Sequence, residues 1–198
     1  MEYHTVNPSL VPLAIIVGIP VLILIWFAAT YNRLVNLRNT ISESWSDVDT
    51  ELKRRYDLIP NLVETVKGYA AHERALFEAV AEARARAMAS QGDPHTQSQD
   101  ENALVQTLRQ LFAVSEGYPQ LKADRNFLQL QEELVNTEDR IQAARRFFNG
   151  NVREYNTLAQ SFPSNIVAGW FGFGSKDFFE IESLEARKPF TVTFGQHT

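Results

Sequence analysis

The 198-residue chain contains no cysteine, which excludes disulfide bonds, thiolate nucleophiles, Cys-based zinc sites and a lipid-modified N-terminal cysteine. It also lacks an excess of cations, with 19 Lys and Arg against 24 Asp and Glu and a formal net charge of −5. Because nucleic-acid binding needs clustered Lys and Arg to neutralise phosphates, this balance argues against a nucleic-acid partner. The length accommodates one domain and an anchor.

Recognisable catalytic motifs are lacking as well. The four histidines are His4, His72, His95 and His197, and none has the spacing of a zinc hydrolase or of a di-iron bundle. The chain has no phosphate-binding glycine-rich loop and no G-x-S-x-G motif. Neighbouring carboxylates such as Asp47 with Asp49, or Glu132 with Glu133, do not share a helical face and are typical of solvated positions. We expect no enzyme, and hence no metal, cofactor or small-molecule substrate.

One long apolar run stands near the N-terminus. Residues 10–29 read LVPLAIIVGIPVLILIWFAA without a charge, and twenty helical residues rise about 30 Å, the thickness of the hydrocarbon core of a bilayer. A cleaved signal peptide is the alternative. It is disfavoured because residues 1–9 contain no Lys or Arg and because the run exceeds an ordinary h-region. The sequence therefore predicts a retained transmembrane helix in contact with the lipid bilayer.

The residues that flank this run predict its anchors and its orientation. Trp26 and Tyr31 occupy the place of an interfacial aromatic belt, and Arg33 and Arg38 follow it. Since Glu2 is the only charged side chain before the run, the positive-inside rule places the N-terminus outside and the following domain in the cytoplasm.

Amphipathic helices fill the next part of the chain. From residue 34 to residue 83 apolar side chains recur at helical spacing: Leu34, Leu37, Ile41, Trp45, Val48, Leu52, Ile59, Leu62, Val66, Tyr69, Leu76, Val80 and Ala83. Pro60 either kinks one helix or starts a second one with Asp57 as its N-cap, and both alternatives remain open. The basic run Lys53, Arg54 and Arg55 is expected to pair with Asp49, Glu51 and Asp57.

Two further helices are predicted after a break. The polar residues 89–100 indicate a flexible connection, and a short helix then extends to the EGYP segment at residues 116–119. Pro119 is expected to open the longest uninterrupted helix, which Phe162 and Pro163 close. Its stripe is Leu121, Phe127, Leu130, Leu134, Ile141, Ala144, Phe148, Val152, Tyr155, Ala159 and Phe162.

These helices must bury their apolar faces together. The predicted fold is all-α: a transmembrane helix (residues 1–30, with the preceding segment), an elongated antiparallel four-helix bundle (31–162) and an aromatic, glycine-rich tail (163–198). In this arrangement the last helix returns to the membrane side.

The tail contains more aromatic surface than a protein normally exposes to water, so we expect another part of the chain, lipid or a partner to cover it. It either caps the bundle or rests on the lipid interface or on a neighbouring subunit. Five side chains are the candidates for interface or partner contact: Trp170, Phe171, Phe173, Phe178 and Phe179. Residues 189–198 alternate like a short strand but are more typical of a frayed terminus.

Long segments of the chain are similar to the LemA family of bacterial membrane proteins. The segments are KRRYDLIPNLVETVKGY, NFLQLQEELVNTEDRI and the GFG…FFE tail. The resemblance implies an N-terminal span in the bacterial cytoplasmic (inner) membrane, a four-helix bundle in the cytoplasm and no defined activity. One relative takes part in forming magnetosome membranes, which favours membrane organisation.

Two functions are therefore expected. The first is a non-enzymatic, membrane-anchored scaffold that forms homo-oligomers and organises membrane or membrane proteins. The alternative is an adaptor or regulatory subunit for another membrane protein, such as a protease or a transporter.

Overall fold

The computed structural model describes residues 10–90 and 93–184, with side chains from residue 16 onward. The six helices of these residues are α1 (Leu10–Lys67), α2 (Arg74–Ala89), α3 (Pro94–Ser115), α4 (Pro119–Lys122), α5 (Arg125–Gln160) and α6 (Ser164–Trp170). No strand occurs among the described residues, so the all-α prediction is confirmed. Residues 1–9 and the predicted terminus at 189–198 lie outside the described part of the chain.

Pro60 lies inside α1, which continues without a break to Lys67. A proline cannot donate to the carbonyl four residues earlier, here that of Tyr56. Arg84 of α2 supplies a replacement, since its Nε donates to the Tyr56 carbonyl oxygen at 2.8 Å. The chain turns instead at residues 68–73, which begin with Gly68. Asp57 is an interior residue of α1 and not an N-cap.

The predicted flexible connection at residues 89–100 is wrong for most of its length. Helix α3 already begins at Pro94, and Asp93 caps it by accepting hydrogen bonds from the backbone N–H groups of His95 and Thr96. A hydrogen bond from the Thr96 hydroxyl, and next the one from the Thr96 backbone N–H, hold the pKa of Asp93 below its ordinary value. Proline at the first helical position and aspartate before it are a start signal for a helix, which the polar composition concealed.

The prediction that Pro119 opens the longest helix is also wrong. Pro119 opens only α4, and a second start at Asp124 separates it from α5, because the Asp124 carboxylate accepts the backbone N–H of Phe127 at 2.9 Å. The Tyr69 hydroxyl donates to the same carboxylate at 2.9 Å. The longest helix is α1, with 58 residues against 36 for α5.

The helices belong to two compact units. The first unit contains the described residues up to Glu43 and Gly150–Lys176, that is, the first half of α1, the end of α5, and α6. The second unit contains Ser44–Asn149 and the stretch from Asp177 to residue 184. Its four long segments are the second half of α1, then α2, α3 and most of α5, whose apolar stripes form a buried core.

In the second unit, α1 and α5 run antiparallel. Successive contacts join Trp45 to Phe148 and then Arg55 to Glu138, and just beyond the helix ends Tyr69 contacts Asp124. Numbers rise along one helix while they fall along the other. This register brings the middle of α1 against the middle of α5, where the core contains charged side chains.

Candidate functional site

A buried polar cluster lies in the middle of the second unit. Arg55 of α1 is fully buried, and its guanidinium donates to Glu138 of α5 at 3.0 Å and to Glu101 of α3. Both carboxylates are nearly inaccessible to solvent. Three helices thus contribute one charge each to the interior of an apolar bundle. The predicted pairing of Arg55 with Asp49, Glu51 or Asp57 is therefore wrong.

The other two cations of the run follow the prediction more closely. Lys53 pairs with Asp49 at 2.6 Å and Arg54 with Glu51 at 3.8 Å, and both cations are more than half exposed. Only Arg55 points inward, because it lies three residues after the buried Leu52.

Tyr56 and Gln97 complete the cluster. The Tyr56 hydroxyl donates to Glu101, and the Gln97 amide donates to Glu101 at 2.9 Å and to the Ala87 carbonyl at 3.1 Å. That carbonyl belongs to the last turn of α2, where intrahelical partners run out. Burial, and next the negative charge of Glu101, raise the pKa of the Tyr56 phenol, which therefore stays protonated and acts as a donor. The cluster ties together all four long segments of the second unit.

A groove opens beside this cluster. It has a volume of about 430 Å³ and is lined in part by Trp45, Met88, Tyr56 and the Asp49–Lys53 ion pair. Its lining combines apolar side chains with charged and polar ones. Within the described residues no group of three His, Cys, Asp or Glu is placed to hold a metal ion.

An extended strap, residues 177–184, packs along α3 and α5 in the second unit. The side-chain amide of Asn149 both donates to the carbonyl and accepts from the N–H of Phe179, each at 2.9 Å. Asn102 makes the equivalent pair of bonds to Glu180 and Glu182. Alternate side chains, Phe179 and Ile181, are buried beneath the strap. Helix side chains therefore bind this segment mainly through its backbone.

The predicted contact residues separate into two groups. Phe173 and Phe179 are buried within the chain: Phe173 packs edge-on to Tyr31, and Phe179 packs edge-on to Trp45. Phe178 is exposed on the outer side of the strap, and Trp170 and Phe171 are exposed at the end of α6.

The predicted anchor residues lie in the first unit. Large apolar side chains are exposed from Ile16, the first side chain that the structure describes, to Trp26. Tyr31 contacts the Phe171 ring at 4.7 Å between centroids. Arg33 pairs with Glu154 of α5 at 3.0 Å, and the Arg38 guanidinium lies 5.5 Å from the centre of the Phe173 ring. By length and composition, the N-terminal part of α1 can cross a membrane.

Comparison with known proteins agrees with these features. The sequence pattern of the LemA family matches residues 44–194, which covers the second unit and the strap. Magnetosome protein MamQ of Magnetospirillum gryphiswaldense is 25% identical in an alignment of 197 positions that covers 85% of this chain and 72% of that protein. Protein LemA of Metamycoplasma hominis is 26% identical over 139 residues, covering 70% of this chain and 60% of that protein. With a matching pattern over three quarters of its length and an exposed apolar helix at its N-terminus, the chain is a membrane-associated member of the LemA family.

Proposed function

We propose that the protein is a membrane-anchored, non-enzymatic scaffold that self-assembles and organises membrane or membrane proteins. The observation that carries this proposal is the continuity of α1. A single helix supplies both an apolar segment, whose described side chains are exposed from Ile16 to Trp26, and one wall of the bundle that surrounds Arg55. Anchoring and bundle formation therefore depend on the same element.

The charges that follow the apolar segment favour one orientation. Arg33 and Arg38 both belong to the first unit and lie beyond Tyr31, within three turns of the end of the apolar run. Short flanking segments rich in Arg remain on the cytoplasmic side during insertion. We therefore assign the bundle to the cytoplasmic face of a bacterial cytoplasmic membrane, with the N-terminus outside.

Self-assembly is supported by apolar side chains that the bundle leaves uncovered. On α5, Leu128 and Val135 are seven residues apart and hence share a face, and both are exposed. Magnetosome protein MamQ is named for a membrane organelle, which agrees with a role in membrane organisation.

The test is the size of the protein in its native membrane environment. Native mass spectrometry of the full chain, released from membranes in lipid nanodiscs, should show multimers. Replacing Leu128 and Val135 together with Ser should shift the distribution towards monomers, while Glu133→Ser, at an exposed position on another side of α5, should not. Monomers alone for the unmodified chain would contradict self-assembly.

The adaptor function is favoured by the groove beside the buried cluster. Its exposed Met88 and its Trp45 offer an adaptable apolar surface next to the Asp49–Lys53 pair, which suits a segment of another protein. Phe178 is a second proposed partner contact, since it faces outward from the strap. Crosslinking in cells separates the two functions: a stoichiometric foreign partner supports the adaptor, and crosslinks between copies support the scaffold.

A further inference from the structure

Helix α6 presents an apolar face that the described residues of its own unit leave largely exposed. Ile166 and Trp170 are four residues apart and lie on one side of α6, and Phe162 stands in the turn before the helix. Their exposed fractions are 81%, 47% and 76%. Val167 and Ala168, on the opposite side, are buried. The larger apolar side chains of this helix therefore face outward, and its smaller ones pack against its own unit.

This face lies beside the end of the apolar segment of α1. Within the first unit, the Phe27 ring is 5.8 Å from the Trp170 ring and 5.9 Å from the Phe171 ring. Leu24 and Ile25, which are about two thirds exposed, precede Phe27 by two or three residues. At about 1.5 Å of rise per residue they lie within about 5 Å of Phe27 along the helix axis. The α6 face thus lies beside the C-terminal end of the apolar segment, at the same position along the axis of α1.

The bilayer environment that the apolar segment of α1 requires therefore also reaches α6. Exposed Leu and Ile on α1 need a hydrocarbon environment, and the charged Arg33, six residues beyond Phe27, needs water or phosphate. Trp170 lies beside Phe27 at the end of the apolar segment, and the next residue, Phe171, contacts both Phe27 and Tyr31. Trp and Phe partition well into this boundary region of a bilayer, where an indole places its ring among acyl chains and its N–H among headgroups.

We infer that α6, together with Phe162 and Phe171 at its ends, is a second membrane contact that lies in the interface of the bilayer crossed by α1. The inference rests on the proposed anchoring of α1. It assigns the lipid surface as the occupant of this aromatic face, in place of a second copy of the chain or a foreign protein.

The three tryptophans of the chain allow a direct test, because each reports on a different region. Trp26 lies on the apolar segment, Trp45 in the bundle and Trp170 on α6. Three full-length variants, each with one Trp retained and the other two replaced by Phe, are reconstituted in phosphatidylcholine–phosphatidylglycerol vesicles. The lipids carry bromine at a shallow or a deep position of the acyl chain, and bromine quenches only nearby indoles.

We expect Trp170 to show a blue-shifted emission maximum and to be quenched most by shallow bromine. Trp26 should be quenched as well, and Trp45 should not. Quenched Trp26 with unquenched, water-like emission from Trp170 would overturn the interfacial helix and leave the anchor intact. Failure to quench Trp26 would overturn the anchor itself. Circular dichroism checks that each variant remains helical.

A second variant set separates lipid from protein as the occupant. In the background with Trp170 alone, replacing Phe162 and Ile166 with Ser should reduce shallow quenching, whereas Asn165→Ser, an exposed polar control on α6, should leave it unchanged. Because the chain lacks cysteine, Trp170→Cys provides a single reactive thiol. Two results together would overturn the proposal: efficient disulfide dimers of Trp170→Cys in the membrane, and unquenched but blue-shifted emission in the variant that retains Trp170. They would show that a second copy of the chain covers the face.

Discussion

Removing the buried guanidinium is the most demanding test of the bundle. Arg55→Met deletes the cation that neutralises Glu101 and Glu138 and leaves both carboxylates inside an apolar core. Breaking a buried ion pair by removing one partner costs about 3–5 kcal/mol of folding free energy. The neighbouring residue provides the matched control, because the Arg54 side chain is 53% exposed and its carboxylate partner lies 3.8 Å away. Arg54→Met should cost at most about 1 kcal/mol.

The magnitude converts directly into a shift of the urea midpoint. For a bundle of this size the free energy of unfolding falls by about 2 kcal/mol per molar urea, so Arg55→Met should lower the midpoint by about 1.5–2.5 M. The loss of helical ellipticity of the full chain in detergent micelles measures it. The apolar part of α1 remains helical in the micelle and contributes a constant background.

A triple variant decides whether the loss of folding stability comes from the unpaired negative charges of the two buried carboxylates. When Glu101 and Glu138 are also replaced by Leu, no charge remains in the core, and stability should recover to within about 1–2 kcal/mol of the unmodified chain. Tyr56 and Gln97 retain the Ala87 carbonyl as a partner in that variant. A midpoint for Arg55→Met equal to that of Arg54→Met would refute the burial of the cluster.

Three further perturbations test other parts of the fold. Hydrogen bonds from the Phe127 N–H and the Tyr69 hydroxyl lower the pKa of Asp124. Its contribution to folding stability is therefore complete above the ordinary pKa of 3.8 and is lost as the pH falls through the depressed pKa. Asp124→Ala should lower the melting temperature at pH 7, and the difference from the unmodified chain should vanish in strong acid. Asn149→Ala removes two hydrogen bonds to the strap, worth about 1–3 kcal/mol together, and should accelerate amide hydrogen exchange in residues 177–184 about tenfold, whereas the exposed Asn136→Ala on the same helix should not. Gly150 lies inside α5 with open space where a Cβ would stand, so Gly150→Ala should raise stability by about 0.5–1 kcal/mol, whereas Gly172→Ala, at a φ of 69°, should lower it in the same thermal scan.

The parts of the fold that depend on neighbours in sequence could be predicted. The apolar run and the helical stripes are local patterns, and they gave the all-α class and most of the buried positions of α1 and α5. The starts of α3 and α5 were missed because each depends on one aspartate, Asp93 or Asp124, whose role is visible only in its hydrogen bonds. Pro60 was undecidable, because the residue that makes it acceptable in a helix, Arg84, lies on another helix.

The buried cluster was missed, although the stripes contain a signal for it. The predicted stripe of α1 skips from Leu52 to Ile59, an interval of seven, and the buried positions in that gap are Arg55 and Tyr56. The stripe of α5 skips in the same way from 134 to 141, and Glu138 is buried there. A gap of two turns in an otherwise regular stripe indicates a buried polar residue. Its partners could not be read from sequence, because they lie 46 and 83 residues away.

The two gaps also explain why a charge in this core can serve the fold. Apolar stripes with a period near seven can slide by two turns and still bury the same kind of side chain. Sliding α5 by seven residues would place Gln131 or Arg145 where Glu138 now meets Arg55. Neither supplies a carboxylate, and Arg145 would add a second cation in a medium that amplifies repulsion. Only the observed register joins a carboxylate of α5 to Arg55 while α3 supplies Glu101, so the cluster penalises every neighbouring register that the apolar side chains alone would tolerate.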